Sequence, residues 1–283
     1  MAKVYDALRR AEEDRKRLLG DKSNRPAPLK VEPVGPAAER IDRRPAWKRG
    51  GEVLTPRPGP DGSAELNKRR IALLQPKSYV AEQFRALRGR IDAIASQRPI
   101  TTISITSAFP GEGKTTCAIN LAIVTSMSLG RRVLLIDCDL RRPKIHPALG
   151  LRPETGLAEV LTGASSIDEA IVSAEGVRLD VLPVCGRPAN PSELLGSPEM
   201  SRLIEEVAGR YDRVIIDTPA ALGLPDAKAV SDLCDGMVMV VRADVTAQSD
   251  IEAVLEILDR QRILGLLING VTVDQGRYGY AAN

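Results

Sequence analysis

The chain has 283 residues, of which 43% are apolar, 27% charged and 3% aromatic, enough for one packed domain of ordinary size or two small ones. Its single histidine, His146, argues against a His-based catalytic triad or a multi-histidine metal centre. Catalysis is therefore expected to rest on carboxylates, lysine, backbone amides or a bound ion. The cysteines lack the spacing of a zinc site or disulfide framework and are predicted to be small core residues: Cys117, Cys138, Cys185 and Cys234.

The N-terminal part of the chain is basic. Residues 1–75 contain 18 Lys and Arg against 11 Asp and Glu, whereas residues 76–283 contain 22 against 26. Because the basic residues are mixed with acids and few aromatics, we expect a solvated arm and no nucleic-acid role. No apolar run approaches the ~18 residues of a membrane span, and residues 1–20 lack a signal-peptide pattern. The sequence predicts a cytoplasmic protein.

Two segments are predicted ahead of the folded domain. Residues 1–19 predict a short amphipathic helix, because Val4, Leu8 and Ala11 recur at helical spacing. Residues 20–76 predict a Pro-rich, basic, disordered linker, since eight of the twenty prolines lie between Pro26 and Pro60. The docking partner of the helix, if it has one, is left open.

A packed domain is predicted over residues 77–274. It opens with a helical apolar stripe from Val80 to Ile94. Apolar runs typical of strands follow at 100–105, 133–136, 179–184, 214–216, 237–241 and 264–268. They alternate with helical patterns at 115–127, 198–209, 226–233 and 248–259. This alternation predicts an α/β fold with a mainly parallel sheet flanked by helices.

The sequence SAFPGEGKTT follows the first strand and precedes a helix, as a phosphate-binding loop does. Glycines let backbone N–H groups approach phosphate oxygens, lysine neutralises their charge, and the Thr115 hydroxyl is suited to Mg²⁺. Ala108 replaces the first glycine of the usual pattern, which is tolerated if its φ is negative. The nucleotide-binding residues predicted here are Pro110, Gly111, Glu112, Gly113, Lys114, Thr115 and Thr116. The fold expected is that of a P-loop NTPase.

Three aspartates follow predicted strands. Asp137 and Asp139 come after VLLI, and Asp217 ends VIID. An aspartate at a strand end is most often a turn or helix cap, but the carboxyl ends of parallel strands are where such sheets bind ligands. With a phosphate loop at the same edge, the three together predict a Mg²⁺ ligand and a proton acceptor.

The motifs SAFPGEGKTT, VLLIDCDLRRP, NPSELL (190–195) and VIIDTPA resemble the Walker A, A′ and B set of the bacterial tyrosine kinases of capsule and exopolysaccharide synthesis. The resemblance spans about residues 78–280. It implies an ATP- and Mg²⁺-dependent autokinase that phosphorylates tyrosines in the tail of a neighbouring subunit. The tail at 275–283, which is predicted to be flexible, supplies Tyr278 and Tyr280, fewer than the dense cluster usual in the family.

The resemblance also assigns roles by position. Lys114 and Thr115 would hold phosphate and Mg²⁺, Asp217 and Asp137 would bind the metal, and Asp137 or Asp139 would take the tyrosine proton. Arg141 of the A′ motif would bind nucleotide. The segment matching ExxRxxR would serve ring-shaped self-assembly, although its spacing alone favours a solvated helix face: Glu82, Arg85 and Arg88.

Partners are implied in the same way. The opening KVYDALRRAEE is similar to that of stand-alone members associated with exosortase-type loci. Those members work with a separate membrane chain-length, or co-polymerase, protein. We therefore expect a cytoplasmic kinase that reaches the inner face of the membrane only through such an adaptor.

Several points stay open. The stretch TPAAL replaces the common TPP after Asp217, and Asp226 matches a family acid of unassigned role. Asn269 could read the adenine edge or cap backbone groups. Two alternatives to a kinase stay open. One is a partition or cell-division-type ATPase switch, although such proteins have a lysine early in the loop where this chain has Phe109. The other is a nucleotide-binding scaffold without turnover.

Overall fold

The computed structural model describes residues 69–271 except positions 129 and 175. The predicted helix at 1–19, nearly all of the linker predicted at 20–76 and the tail predicted at 275–283 lie outside the described residues. The roles predicted for Tyr278 and Tyr280 therefore stay predictions.

One seven-stranded sheet organises the domain, in the spatial order β3-β4-β2-β5-β1-β6-β7. The strands are β1 (Thr102–Ser107), β2 (Val133–Asp137), β3 (Val172–Ala174), β4 (Leu179–Leu182), β5 (Arg213–Asp217), β6 (Gly236–Arg242) and β7 (Ile263–Asn269). All neighbouring pairs are parallel except β3 with β4, which confirms the predicted fold class. The three-residue β3 was not predicted because so short an edge strand has no legible alternation.

Ten helices are described between residues 69 and 271. They are α1 (Ile71–Leu74), α2 (Tyr79–Ala95), α3 (Lys114–Ser126), α4 (Ile145–Leu149), α5 (Leu157–Leu161), α6 (Ile167–Ala170), α7 (Pro191–Leu195), α8 (Pro198–Arg210), α9 (Asp226–Ser231) and α10 (Gln248–Ile257), with a 3₁₀ turn at Arg260–Arg262. Two of the longer ones, α2 and α8, begin with serine caps. The Ser78 hydroxyl accepts from the Ala81 N–H ahead of α2, and Pro198 occupies the first position of α8.

The packed domain begins earlier than the sequence predicted. Helix α1 lies inside the segment assigned to the linker, yet Ala72 is fully buried in the main core. The Ala72 N–H donates to the Asn120 side chain on α3 at 2.9 Å, and the Asn120 amide donates to the Arg69 carbonyl at 3.0 Å. The linker boundary was wrong because this long-range pairing of a buried asparagine is not visible in local composition.

Alternation along the strands divides the core between two faces of the sheet. Val133 and Leu135 pack with α2 and α3 on one face, whereas Leu134 and Ile136 pack with α5 to α8 on the other. Every residue of α3 except Thr116 is buried, as expected of a helix that is apolar nearly all round. The helix that follows the phosphate loop is thus fixed along its length.

Three of the four cysteines are core residues, as predicted. Cys117, Cys138 and Cys234 are buried, and burial raises the pKa of Cys117 and Cys234 to about 12, so both thiols stay protonated. Cys185 differs, because it is only half-buried and its thiol lies 3.5 Å from the Pro153 carbonyl. Over the residues that the structure describes, no helix combines the length and apolar character needed to cross a bilayer.

Candidate active site

The phosphate loop, residues 108–115, joins β1 to α3 and takes the conformation that its glycines allow. Gly111 and Gly113 have φ of 91° and 101°, in the region that favours glycine. A Cβ on Gly113 would lie 2.0 Å from the Asn269 amide nitrogen, so only glycine fits there. Ala108 keeps a negative φ, which explains why the missing first glycine is tolerated. The loop therefore presents its backbone to a ligand ahead of the α3 N-terminus.

Residues from β6, β7 and the segment after β6 hold this loop. The buried Glu112 carboxylate accepts from the Phe109 N–H at 2.9 Å and from the Thr246 hydroxyl. Arg242 donates to the Gly111 carbonyl at 3.1 Å, and Asn269 donates to the Glu112 carbonyl at 2.8 Å. Sequence reasoning missed Thr246 and Arg242, since each lies more than 130 positions from its loop partner. Asn269 makes the backbone contact that was one of its two predicted roles, and its role toward adenine stays a prediction.

The acids of the A′ motif lie beside the loop. Asp137 is fully buried, and its carboxylate accepts from the N–H groups of Asp139, Lys144 and Ile145 at 3.0–3.1 Å. Asp139 accepts from the Arg142 N–H at 3.0 Å, and its other oxygen lies 3.4 Å from the Lys114 ammonium. The turn after β2 thus fixes both carboxylates by its own backbone.

Asp217 is the least satisfied group at this edge. It stands opposite Asp137 in the pairing of β2 with β5 and is fully buried. Within residues 69–271, neither of its carboxylate oxygens accepts a hydrogen bond. Burial raises the pKa of Asp217, and the nearby Lys114 charge and Thr115 hydroxyl oppose that rise.

Burial also perturbs Asp137, which stands opposite Asp217. Burial raises the pKa of Asp137, the Asp217 charge raises it further, and the three backbone N–H donors oppose both effects. Two buried carboxylates side by side repel each other when ionised, so a cation between or beside them is favoured. Perturbed carboxylates of this kind concentrate at functional sites.

These residues fit a Mg²⁺–nucleotide complex. Mg²⁺ prefers oxygen ligands and is usually bound by one or two carboxylates together with substrate phosphates and water. Asp217 offers unpaired oxygens, and Thr115 lies beside it in the first turn of α3. In the described part of the chain, no three His, Cys, Asp or Glu side chains are grouped to hold a metal unaided.

A cluster that the sequence did not predict lies next to the A′ acids. Asp226, at the start of α9, accepts from Arg141 Nε at 3.0 Å and from the Ser192 hydroxyl at 2.5 Å. Arg141 Nη2 in turn donates to the Ser192 hydroxyl at 2.9 Å. The A′ motif, the NPSELL segment and Asp226 thereby meet at one place.

The ExxRxxR segment lies on α2, away from the phosphate loop. Arg85 pairs with Glu82 at 2.5 Å and donates to the Pro76 carbonyl at 2.5 Å. Arg88 is half-buried and donates to the Val124 carbonyl in the last turn of α3 at 2.6 Å. A cation there satisfies a helix carbonyl and complements the helix dipole. The role of the three residues in self-assembly is untested.

Comparisons with known proteins agree with this architecture. A family model described as an AAA domain matches residues 100–263, more than half of the chain. The tyrosine-protein kinase YwqD of Bacillus subtilis (strain 168) is 38% identical over 220 residues, covering 77% of this chain and 92% of that protein. The succinoglycan biosynthesis transport protein ExoP of Rhizobium meliloti (strain 1021) is 34% identical over 215 residues, covering 74% of this chain and 27% of that protein.

A solved structure gives the same result. The kinase domain of the Escherichia coli tyrosine kinase ETK superposes with a TM-score of 0.69 at 31% identity, covering 75% of this chain and 84% of that one. The phosphate loop and the paired acids supply the groups that phosphoryl transfer uses to bind phosphate and Mg²⁺. The chain therefore belongs to the bacterial tyrosine kinase family, as its motifs predicted.

Proposed function

We propose that this kinase transfers the γ-phosphoryl group of Mg-ATP to Tyr278 and Tyr280 in the tail of a neighbouring subunit. The observation that carries the proposal is the buried Asp217 carboxylate, which has no hydrogen-bond donor among the described residues and lies beside Lys114 and Thr115. A protein keeps such a group where a ligand completes it. A metal bound to phosphate is the ligand that suits it best.

The geometry supports a division of roles. Lys114 neutralises phosphate charge, while Thr115, Asp137 and Asp217 hold Mg²⁺, which supplies further charge neutralisation when bound. Asp139 is better suited than Asp137 to accept the tyrosine proton, because Asp137 is fully buried and accepts three backbone hydrogen bonds. A tyrosine hydroxyl has a pKa of about 10, so a nearby carboxylate helps its attack.

The wider setting is proposed from the family resemblance. We propose a cytoplasmic ring-like homo-oligomer, with Glu82, Arg85 and Arg88 at its subunit contacts. A separate membrane co-polymerase adaptor would recruit it to the inner face of the membrane, and polysaccharide synthesis and export would be what it regulates. ExoP supports this setting, since it is a succinoglycan biosynthesis transport protein and the chain matches 27% of its length.

Two variants mixed in one tube test the proposal. One chain carries Lys114→Met with an intact tail, and the other carries Tyr278→Phe and Tyr280→Phe with an intact site. After incubation with Mg-ATP, with and without a membrane fraction as activator, phosphotyrosine is mapped by mass spectrometry. We expect phosphate on the tail of the Lys114→Met chain only when both variants are present.

Each other outcome identifies an alternative. Phosphate that appears on the wild-type tail but never on the Lys114→Met chain in the mixture would contradict transfer between subunits. Phosphate release without phosphotyrosine would indicate an ATPase switch. Tight ATP binding with neither product would indicate a scaffold.

A further inference from the structure

The cluster of Arg141, Ser192 and Asp226 is a closed ring of three hydrogen bonds. The Asp226 side chain is completely buried, whereas that of Arg141 is 38% exposed. Each Asp226 oxygen has one donor in the ring, Arg141 Nε for one and the Ser192 hydroxyl for the other. A buried carboxylate must be paired, so this ring is a strong constraint on Arg141.

The ring fixes only one side of the guanidinium group. An arginine carries five N–H donors in a planar fork. Nε and one Nη2 hydrogen are used by Asp226 and Ser192. The two Nη1 hydrogens and the second Nη2 hydrogen have no acceptor in residues 69–271, and the side chain is partly open to solvent. Asp226 and Ser192 thus fix the orientation of the Arg141 guanidinium group through two of its N–H groups, while the other three stay available to an anion.

The position of the ring connects it to the transferring end of the site. Arg141 lies in the turn that contains Asp139, where the Arg142 N–H closes onto the Asp139 carbonyl and carboxylate. Asp139 in turn contacts Lys114. Asp226 begins the helix that follows the segment after Asp217. A rigid cation at this point adjoins the groups proposed to act on the transferred phosphoryl group.

We propose that Ser192 and Asp226 are positioning residues that hold Arg141 as a preoriented donor to the γ-phosphoryl group. The inference rests on the proposed function, because it assumes that Lys114 and Asp139 act at that phosphate. It gives the NPSELL segment a role: its serine hydroxyl links the A′ turn to Asp226. A fixed arginine loses little entropy on binding an anion and recognises phosphate with directed N–H groups.

Nucleotide titration tests this separately from phosphotyrosine formation. Dissociation constants of Mg-AMP-PNP and Mg-ADP are measured for wild type, Ser192→Ala, Ser192→Thr and Asp226→Asn. We expect Ser192→Ala and Asp226→Asn to weaken Mg-AMP-PNP binding by about threefold to tenfold and Mg-ADP by less than about twofold. Ser192→Thr keeps the hydroxyl and is expected to restore Mg-AMP-PNP binding to near wild type. Asp232→Asn is the matched control. It removes a carboxylate at the end of the same helix, and that carboxylate pairs only with the exposed Lys228 among the described residues.

A double-mutant cycle shows whether the residues act through Arg141. We expect the effect of Ser192→Ala to disappear in an Arg141→Gln background. Three results would each overturn the proposal. They are additive effects of Ser192→Ala and Arg141→Gln on Mg-AMP-PNP affinity, an equal loss of affinity for both nucleotides, and unchanged Mg-AMP-PNP affinity in Ser192→Ala. If Asp226→Asn fails to fold, the Ser192 variants still decide. If wild type makes no phosphotyrosine while the cycle behaves as expected, the proposed function fails and the positioning role stands.

Discussion

Both ends of the sheet bury charge, but among the described residues only the carboxyl end holds a buried carboxylate without a hydrogen-bond donor. At the amino end, Arg213 is buried and donates to the Ile100 carbonyl at 2.5 Å and to Asp92 at 3.0 Å. The exposed Asp235 at the same end accepts from the Thr101 and Thr102 N–H groups at 2.8 Å. At the carboxyl end, Asp217 is fully buried and accepts from none of the described residues.

The difference separates stability from function. Burying a charge is tolerated when hydrogen bonds and an opposite charge compensate it, as Asp92 does for Arg213. Leaving a buried carboxylate uncompensated lowers stability unless a ligand completes the site. We infer that the amino end stabilises the fold, while the carboxyl end is arranged for Mg²⁺ and nucleotide. Variants at the two ends should therefore affect different properties.

The largest expected effect is at the carboxyl end. Lys114→Met removes the loop ammonium that lies 3.4 Å from Asp139. We expect tyrosine phosphorylation to fall by about a hundredfold to a thousandfold, because the lysine stabilises charge that develops during transfer. Initial rates of phosphotyrosine formation measure this. Lys228→Met, an exposed lysine on α9, is the control and should stay near wild type; a similar loss in both would refute the assignment.

At the amino end, Arg213→Met should have the converse effect. It leaves the Ile100 carbonyl without its side-chain donor and takes one cation from Asp92, which keeps Arg131 at 2.8 Å. We expect the free energy of unfolding to fall by about 3 kcal/mol, with Mg-ATP affinity within about twofold of wild type. Urea denaturation and nucleotide titration measure the two quantities. A stable variant with weakened nucleotide binding would reverse the comparison.

Asp217→Asn should stabilise the nucleotide-free protein at neutral pH. Burial raises the pKa of Asp217, so the folded chain holds this proton more tightly than the unfolded chain. That contribution is fully present below the unfolded pKa of about 4 and is lost as pH rises through the raised value. The wild type should therefore lose stability between pH 4 and neutrality, and Asp217→Asn should lose less.

The expected gain for Asp217→Asn at pH 8 is on the order of 2 kcal/mol. Thermal unfolding at a series of pH values without nucleotide measures it. Asp235→Asn is the comparison variant, because that carboxylate has backbone donors and should lose stability instead. If Asp217→Asn were less stable than wild type at every pH, the unpaired Asp217 charge would not be what lowers the stability of the wild type.

The smallest effect is expected for Asn269→Ala, which sharpens the account of the phosphate loop. The variant removes the amide that bonds the Glu112 carbonyl at 2.8 Å. If loop anchoring is its role, Mg-ATP and Mg-GTP affinity should both fall by about threefold to tenfold. Competition binding with the two nucleotides measures this. A loss confined to ATP would show instead that Asn269 reads the base.

The sequence predicted the features that are local. The phosphate loop, the aspartates at strand ends and six of the seven strands follow from short patterns of glycine, charge and apolar runs. The ring of Arg141, Ser192 and Asp226 could not be predicted, because its members are 34 to 85 positions apart and each is an ordinary surface residue type. The contact of Arg88 with the Val124 carbonyl could not be predicted for the same reason, since Val124 belongs to another helix.

The central claim is that Asp217, at the carboxyl end of the sheet, is left unpaired for Mg-nucleotide, whereas the buried charge of Arg213 at the amino end is compensated within the fold. Thermal unfolding with and without saturating Mg-ATP tests it in wild type, Asp217→Asn and Arg213→Met. We expect Mg-ATP to raise the melting temperature of wild type and of Arg213→Met by similar amounts, and that of Asp217→Asn little or not at all. Equal stabilisation of Asp217→Asn and wild type by Mg-ATP would contradict the account.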